Sequence, residues 1–174
     1  MIISQTKIIT PQRQKDFLSR SRLLELLNDL LDFKLILVAA PAGYGKTSLL
    51  VDFAHQVEWP VCWFALDPLD QDFTRFISHF ISSIKSKFPD FGEDVLKIIE
   101  NTAGDQISLN FLITSITNGI FDGISEHFIL VLDDYHLLQS NQKIDRFLSD
   151  FLQRASENCH IVITSRKLLT LPDL

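Results

Sequence analysis

Thiols are nearly absent from this 174-residue chain: it has two cysteines, Cys62 and Cys159. They lie far apart and show no metal-ligand spacing. Both fall at strand-like positions, which points to buried thiols in a reducing compartment rather than a disulfide scaffold. The five histidines (55, 79, 127, 136 and 160) show no ligand spacing either. No run is apolar for long enough to span a bilayer. The first residues, MIISQTKIITPQRQK, lack the apolar centre of a secretory signal, so a cytoplasmic setting without a membrane partner is expected. Positive charge is not in surplus. The net charge of −6 gives no electrostatic reason to expect nucleic-acid binding by this segment. The basic residues that gather near the start, Lys7, Arg13, Lys15, Arg20 and Arg22, read as a solvated face. Internal repeats and low-complexity stretches are absent.

What is present is a packed core. Apolar residues make up 46% of the chain and 14 residues are Phe, enough for one globular domain. Residues 1–16 read as extended, broken at Pro11. A helix is predicted over Phe17–Leu31, with Ser19 or Ser21 as its cap. Strands are predicted at Leu35–Ala40, Val61–Leu66, Phe128–Leu132 and His160–Ile163. Helices are predicted from the loop after the first strand to about Val57, over Phe73–Ile84, Val95–Ile99, Phe111–Ile120 and Ile144–Leu152. Asn101–Asp105 reads as a linker, and Asp67-Pro68 with Asp70 as a turn. The Phe73, Phe76 and Phe80 stripe has helical spacing and reads as core packing. Alternating strands and helices mean an α/β fold with a parallel sheet and helices on both faces, a three-layer sandwich.

The densest signal follows the first strand. Ala40-Pro41-Ala42-Gly43-Tyr44-Gly45-Lys46-Thr47 joins an apolar strand to a helix with Leu49, Leu50, Phe53 and Val57 on one face. It meets the phosphate-loop pattern Gly-x4-Gly-Lys-Ser/Thr except at its first position, where Ala40 stands. Such a loop grips a nucleoside triphosphate through backbone N–H groups of the loop and the helix start. The expected nucleotide-binding stretch is Pro41, Ala42, Gly43, Tyr44, Gly45, Lys46, Thr47 and Ser48. Lys46 would reach the β- and γ-phosphates, and the Thr47 hydroxyl would ligate Mg²⁺.

A phosphate loop of this kind needs an acidic residue at the end of another parallel strand. Phe128–Leu132 is a continuous apolar run, as expected for a strand covered on both faces. It ends in Asp133-Asp134-Tyr135-His136. Asp133 is the candidate Mg²⁺ partner, through water. Asp134 is placed to orient or deprotonate an attacking water. The last strand ends in Thr164-Ser165-Arg166, at the carboxyl edge where ligands bind in parallel sheets. Thr164 or Ser165 could hydrogen-bond the water or the γ-phosphate. Arg166 is either a γ-phosphate contact or an exposed arginine after a strand.

Four stretches in this order, APAGYGKT at 40–47, LDPLDQDFTRF at 66–76, LVLDDYHLL at 130–138 and HIVITSR at 160–166, resemble the NTPase domain of the maltose-activator type of large LuxR-type ATP-binding regulators, in the STAND class of P-loop ATPases. The resemblance runs from about Lys7 to the end and includes Arg20–Leu23. It implies that Ala40 is a subgroup trait and that Arg20 helps hold the nucleotide. It also implies ATP and ADP as ligands, slow hydrolysis that resets a switch, and self-association of NTPase domains when ATP is bound. DNA contact would belong to a separate C-terminal domain. Two regions are expected: 1–32, an extended segment and helix leading into the core, and 33–174, the P-loop core of a fragment of a longer regulator. The core would end before the last of five usual strands, leaving a sheet edge that invites pairing with a second chain.

Two other functions share the loop. A small-molecule or nucleotide kinase would need an acceptor pocket and an arginine-bearing lid, yet the stretch from Asp67 to Gly123 holds one arginine, Arg75. A binding-only nucleotide module would keep the fold without the chemistry, but Lys46, Thr47 and Asp133 are all intact.

Overall fold

The computed structural model describes residues 2–13, 18–101, 107–138 and 141–172. The helices are α1 (Ser21–Asp29), α2 (Lys46–Ala54), α3 (Phe73–Lys85), α4 (Glu93–Asn101), α5 (Leu109–Gly123) and α6 (Gln142–Arg154). The strands are β1 (Leu35–Ala39), β2 (Val61–Ala65), β3 (Phe128–Asp133) and β4 (Cys159–Ser165). They form a four-stranded sheet in the order β1-β4-β3-β2, parallel at every pairing. β1 is one edge, bonded only to β4 among the described residues. No helix among those residues is long and apolar enough to cross a membrane.

The pleat sorts side chains onto two faces. Phe128, Leu130 and Leu132 of β3 join Cys62, Phe64, Ile161 and Ile163 in one core with the inner faces of α3, α5 and α6. Ile129 and Val131 join Trp63, Ile36 and Val162 in a second core with α1 and α2. The Phe stripe is core, as expected: Phe147 of α6 meets Phe76 and Phe80 of α3 edge-on, at 5.9 and 5.2 Å between ring centres. Cys62 and Cys159 are free and fully buried, and burial pushes the Cys159 thiol up to about 12. Such thiols stay protonated and inert.

Several boundaries differ from the sequence expectation. α1 starts at Ser21, with Arg20 as its N-cap and no side-chain cap, because the Ser19 hydroxyl is committed to Asp52. The predicted start at Phe17 lies outside the described residues, as does most of the Asn101–Asp105 linker. α2 is not amphipathic over its middle: Leu49, Leu50, Val51, Asp52 and Phe53 are all buried. It packs against the sheet and α1, and Arg13 and Ser19 of the N-terminal segment reach Asp52.

Of the basic N-terminal residues, Lys7 departs from the expected solvated face, and Arg13 is exposed but paired. Lys7 is buried and paired with Asp67 (2.9 Å) and Asp70, and Arg75 also bonds Asp70 (3.1 Å). Arg13 pairs with the fully buried Asp52 at 2.9 Å. Arg20 and Arg22 are exposed, as expected; Lys15 lies outside the described residues. Buried carboxylates require such partners, and these cations supply them.

Candidate functional site

The parallel register brings the carboxyl ends of three strands together. Ala39 of β1 pairs with Ser165 of β4, and Leu132 of β3 pairs with Ile163. β4 lies between β1 and β3, so Thr164 stands between the loop after β1 and Asp133 at the end of β3.

The loop 40–45 is shaped by two glycines in left-handed conformation, Gly43 (φ 81°) and Gly45 (φ 74°). An L side chain is strained at both positions. Gly45 caps α2, and the first intrahelical bond runs from Leu49 N–H to Gly45 O at 2.9 Å. The N–H groups of Lys46, Thr47 and Ser48 therefore open the helix without intrahelical acceptors, which makes its N-terminus a seat for an anion. Lys46 is buried, and its ammonium donates to Ala40 O (2.8 Å) and Pro41 O (3.2 Å) across the loop. Pro41 has no N–H to offer a phosphate, so its contribution is this carbonyl. Ser48 and Tyr44 are exposed.

Asp133 is the hub. Its Oδ1 accepts from Thr47 Oγ1 (3.1 Å) and from Thr164 Oγ1 (2.6 Å). Burial raises the Asp133 carboxyl above the ordinary carboxylate value; the two hydroxyls and Lys46 pull it down, and the Asp134 charge pushes it up. The Thr164 oxygen also accepts the Asp134 N–H at 2.7 Å. Asp134 sits in left-handed backbone (φ 64°), the only non-glycine among the described residues to do so. That geometry turns the chain sharply after β3 and leaves the Asp134 side chain 39% exposed. Aspartate adopts this conformation more readily than most non-glycine residues.

Sequence reasoning assigned His136 no role. Both its ring nitrogens are buried and lack a hydrogen-bond partner, and Nδ1 lies 3.6 Å from Asp134 Oδ1. Burial lowers its pKa; Asp134 works against this, while the Arg166 and Lys46 charges add to it. His136 is thus a neutral imidazole among the site's charges. Its spacing two residues after Asp134 was the available signal. Ser165, one of two candidate ligands on β4, is fully buried and accepts from Lys167 N–H, while Thr164 turns to Asp133. Arg166 is exposed just past β4. Arg20 reaches the loop: Nη1 donates to Tyr44 O at 2.8 Å.

Beside the loop, a cleft of about 350 Å³ opens between α1 and β1. Leu23, Leu27 and Val38 give it an apolar floor, and Arg20, Tyr44 and Lys46 line its mouth. Among the described residues no three His, Cys, Asp or Glu side chains converge as a metal cage. A single carboxylate with an adjacent hydroxyl suits Mg²⁺ instead, which takes few protein oxygens and completes its shell with phosphates and water. The Thr47–Asp133 pair fits that requirement.

The fold is that of a P-loop NTPase. It matches a Walker-type ATPase of Pyrococcus abyssi over 90% of this chain and 47% of that one, with a TM-score of 0.58 and 17% identity. It matches a structure of Drosophila ORC bound to AT-rich DNA and Cdc6 over 85% of this chain and 46% of that one, at 0.54 and 18%. The family described as nephrocystin 3, N-terminal, matches residues 13–166, and the chain belongs to it. The resemblance to maltose-activator regulators holds in sequence. The HTH-type transcriptional regulator MalT of Vibrio parahaemolyticus is 31% identical over 162 residues, 92% of this chain. That of Yersinia pestis is 31% identical over 169 residues, 97% of this chain. The chain spans 17–18% of the length of these relatives.

Proposed function

We propose that this chain is the nucleotide-binding switch domain of a signal-responsive transcriptional regulator, binding Mg·ATP and ADP and hydrolysing ATP slowly. The observation that carries the reading is the convergence of Lys46, Thr47, Asp133 and Thr164 at one end of the sheet, beside an open helix N-terminus. Four side chains from three strand ends have no other reason to meet there.

The residue roles follow from chemistry. Lys46 is held over the loop by Ala40 O and Pro41 O, so the cation is pre-placed and exchanges bonds to neutral carbonyls for ion-paired ones to phosphate. Gly43 and Gly45 hold the backbone N–H groups open. Mg²⁺, when bound, neutralises charge on the β- and γ-phosphate oxygens. Thr47 and Asp133 would hold it. Thr164 fixes Asp133 by donating to it and fixes Asp134 by accepting its N–H. Asp134 then orients or deprotonates water. Arg166 would contact the γ-phosphate, and Arg20 would hold the nucleotide from the α1 side. The apolar cleft between α1 and β1 suits a base, and adenine is the base we assign. Residues 1–32 would form the lead-in and 33–174 the core.

Similarity to MalT supports the regulator context, in which ATP-bound domains self-associate and DNA is contacted elsewhere. The test is calorimetry of the wild-type protein with Mg·ATP and Mg·ADP. Binding lost in Lys46→Ala supports the reading; absence of wild-type binding sinks it. Hydrolysis unaltered by Asp134→Asn would leave a binding-only switch.

A further inference from the structure

Asp52 is a fully buried carboxylate in the second turn of α2. Its partners come largely from the N-terminal segment. Ser19 Oγ donates to Oδ2 at 2.7 Å, Arg13 Nε to Oδ1 at 2.9 Å, and Gln56 Nε2 to Oδ1 at 3.0 Å. A buried carboxylate persists when it is paired and hydrogen-bonded. The hydrogen bond from Ser19 to this fixed carboxylate thus ties Ser19 to α2. Arg20 is the next residue, and its guanidinium rests on the phosphate loop. Nη1 donates to Tyr44 O at 2.8 Å, and Nη2 lies 3.0 Å from where a Cβ on Gly45 would stand. Gly45 caps the same helix that carries Asp52. One rigid element therefore holds both ends of the Ser19–Arg20 unit.

We infer that Asp52, acting through Ser19, positions Arg20 on the phosphate loop and thereby raises affinity for the phosphates of a nucleoside diphosphate or triphosphate. The inference rests on the nucleotide-binding reading above. Arg20 is exposed, and an exposed arginine loses much rotamer freedom on engaging a ligand. Fixing its backbone one residue away removes part of that cost before the ligand arrives, as preorganisation does generally. It also keeps a positive charge at the mouth of an anion site. Ser19 is the informative residue. Removing its hydroxyl leaves Asp52 with Arg13 and Gln56, so the buried charge stays paired.

The test is a double-mutant cycle on Mg·ADP affinity, measured by calorimetry on the full chain with Ser19→Ala, Arg20→Ala and the double variant. Ser19→Ala is expected to weaken binding by about three- to tenfold, the effect of one hydrogen bond. In the Arg20→Ala background it is expected to change nothing, because the group it positions is gone. Ser19→Thr, which keeps the hydroxyl, is expected to restore wild-type affinity. Equal weakening by Ser19→Ala with and without Arg20 would overturn the inference, since the serine would then act through stability alone. An Arg20→Ala protein that binds as wild type also overturns it while leaving the nucleotide reading standing. A wild-type protein that binds no nucleotide overturns both.

Discussion

The Thr164 hydroxyl donates to Asp133 Oδ1 at 2.6 Å and is the shortest link between two strands at the site. The same oxygen accepts the Asp134 N–H at 2.7 Å. A single β4 side chain therefore sets both acidic residues at the end of β3. Thr164→Val keeps the shape and removes both bonds. It is expected to cost about 1–3 kcal/mol in urea unfolding, because the Asp134 N–H is left unmet. Mg²⁺ dependence of nucleotide binding should weaken with it. Unchanged stability in the variant would mean that water replaces the hydroxyl.

Asp133 predicts a pH effect of defined sign. Burial raises its carboxyl above the ordinary 3.8. Its stability contribution is therefore present below the unfolded value and lost as pH rises through the raised folded value. At neutral pH the ionised carboxylate destabilises the ligand-free protein. Asp133→Asn, whose amide oxygen still accepts from Thr47 and Thr164, should raise Tm at pH 7 and abolish Mg²⁺-dependent nucleotide binding. A lower Tm for this variant would contradict the desolvation argument.

The two loop glycines should fail differently. A Cβ at Gly43 meets nothing within 4 Å, so Gly43→Ala bears only the left-handed strain, about 1 kcal/mol. A Cβ at Gly45 would stand 3.0 Å from Arg20 Nη2. Gly45→Ala bears the same strain and also displaces Arg20. Thermal melts and ADP titrations should show similar stability losses and a larger affinity loss at Gly45.

The N-terminal strap should loosen in mild acid. His79 Nδ1–H donates to Arg75 O at 2.9 Å, so Nε2 accepts the Ser4 N–H at 3.1 Å. Burial holds the His79 pKa below 6.5, helped by Lys7 and Arg75; Asp70 and the Arg75 carbonyl oppose them. Phe64 stacks on the ring. The bond is thus present above 6.5 and lost as pH falls through the lower folded value. The protection of the Ser4 amide against exchange, relative to its intrinsic rate at each pH, should fall over that range, and His79→Phe should leave Ser4 unprotected at every pH.

The phosphate loop was legible because its parts are contiguous. An apolar strand, two glycines and Lys-Thr at a helix start announce themselves within 13 residues, from Leu35 to Thr47. Asp133 and Asp134 were legible for the same reason, at the end of a strand buried on both faces. Lys7 was misread as part of a solvated face because its partners, Asp67 and Asp70, lie far along the chain. His136 passed unnoticed because an imidazole without partners looks like any other until its burial is known. The α2 helix looked amphipathic from the spacing of Leu49, Leu50, Phe53 and Val57, whereas Val51 and Asp52 between them are buried as well.

The sequence by itself determined the element types, the loop and its glycines, and the two carboxylates, since periodicity, φ preference and strand ends are local properties. Only the tertiary structure decided which strand stands between β1 and β3. That choice puts Thr164 on Asp133. Strand order depends on how crossovers pack on the two faces of the sheet, a matter of contacts between residues far apart in the chain.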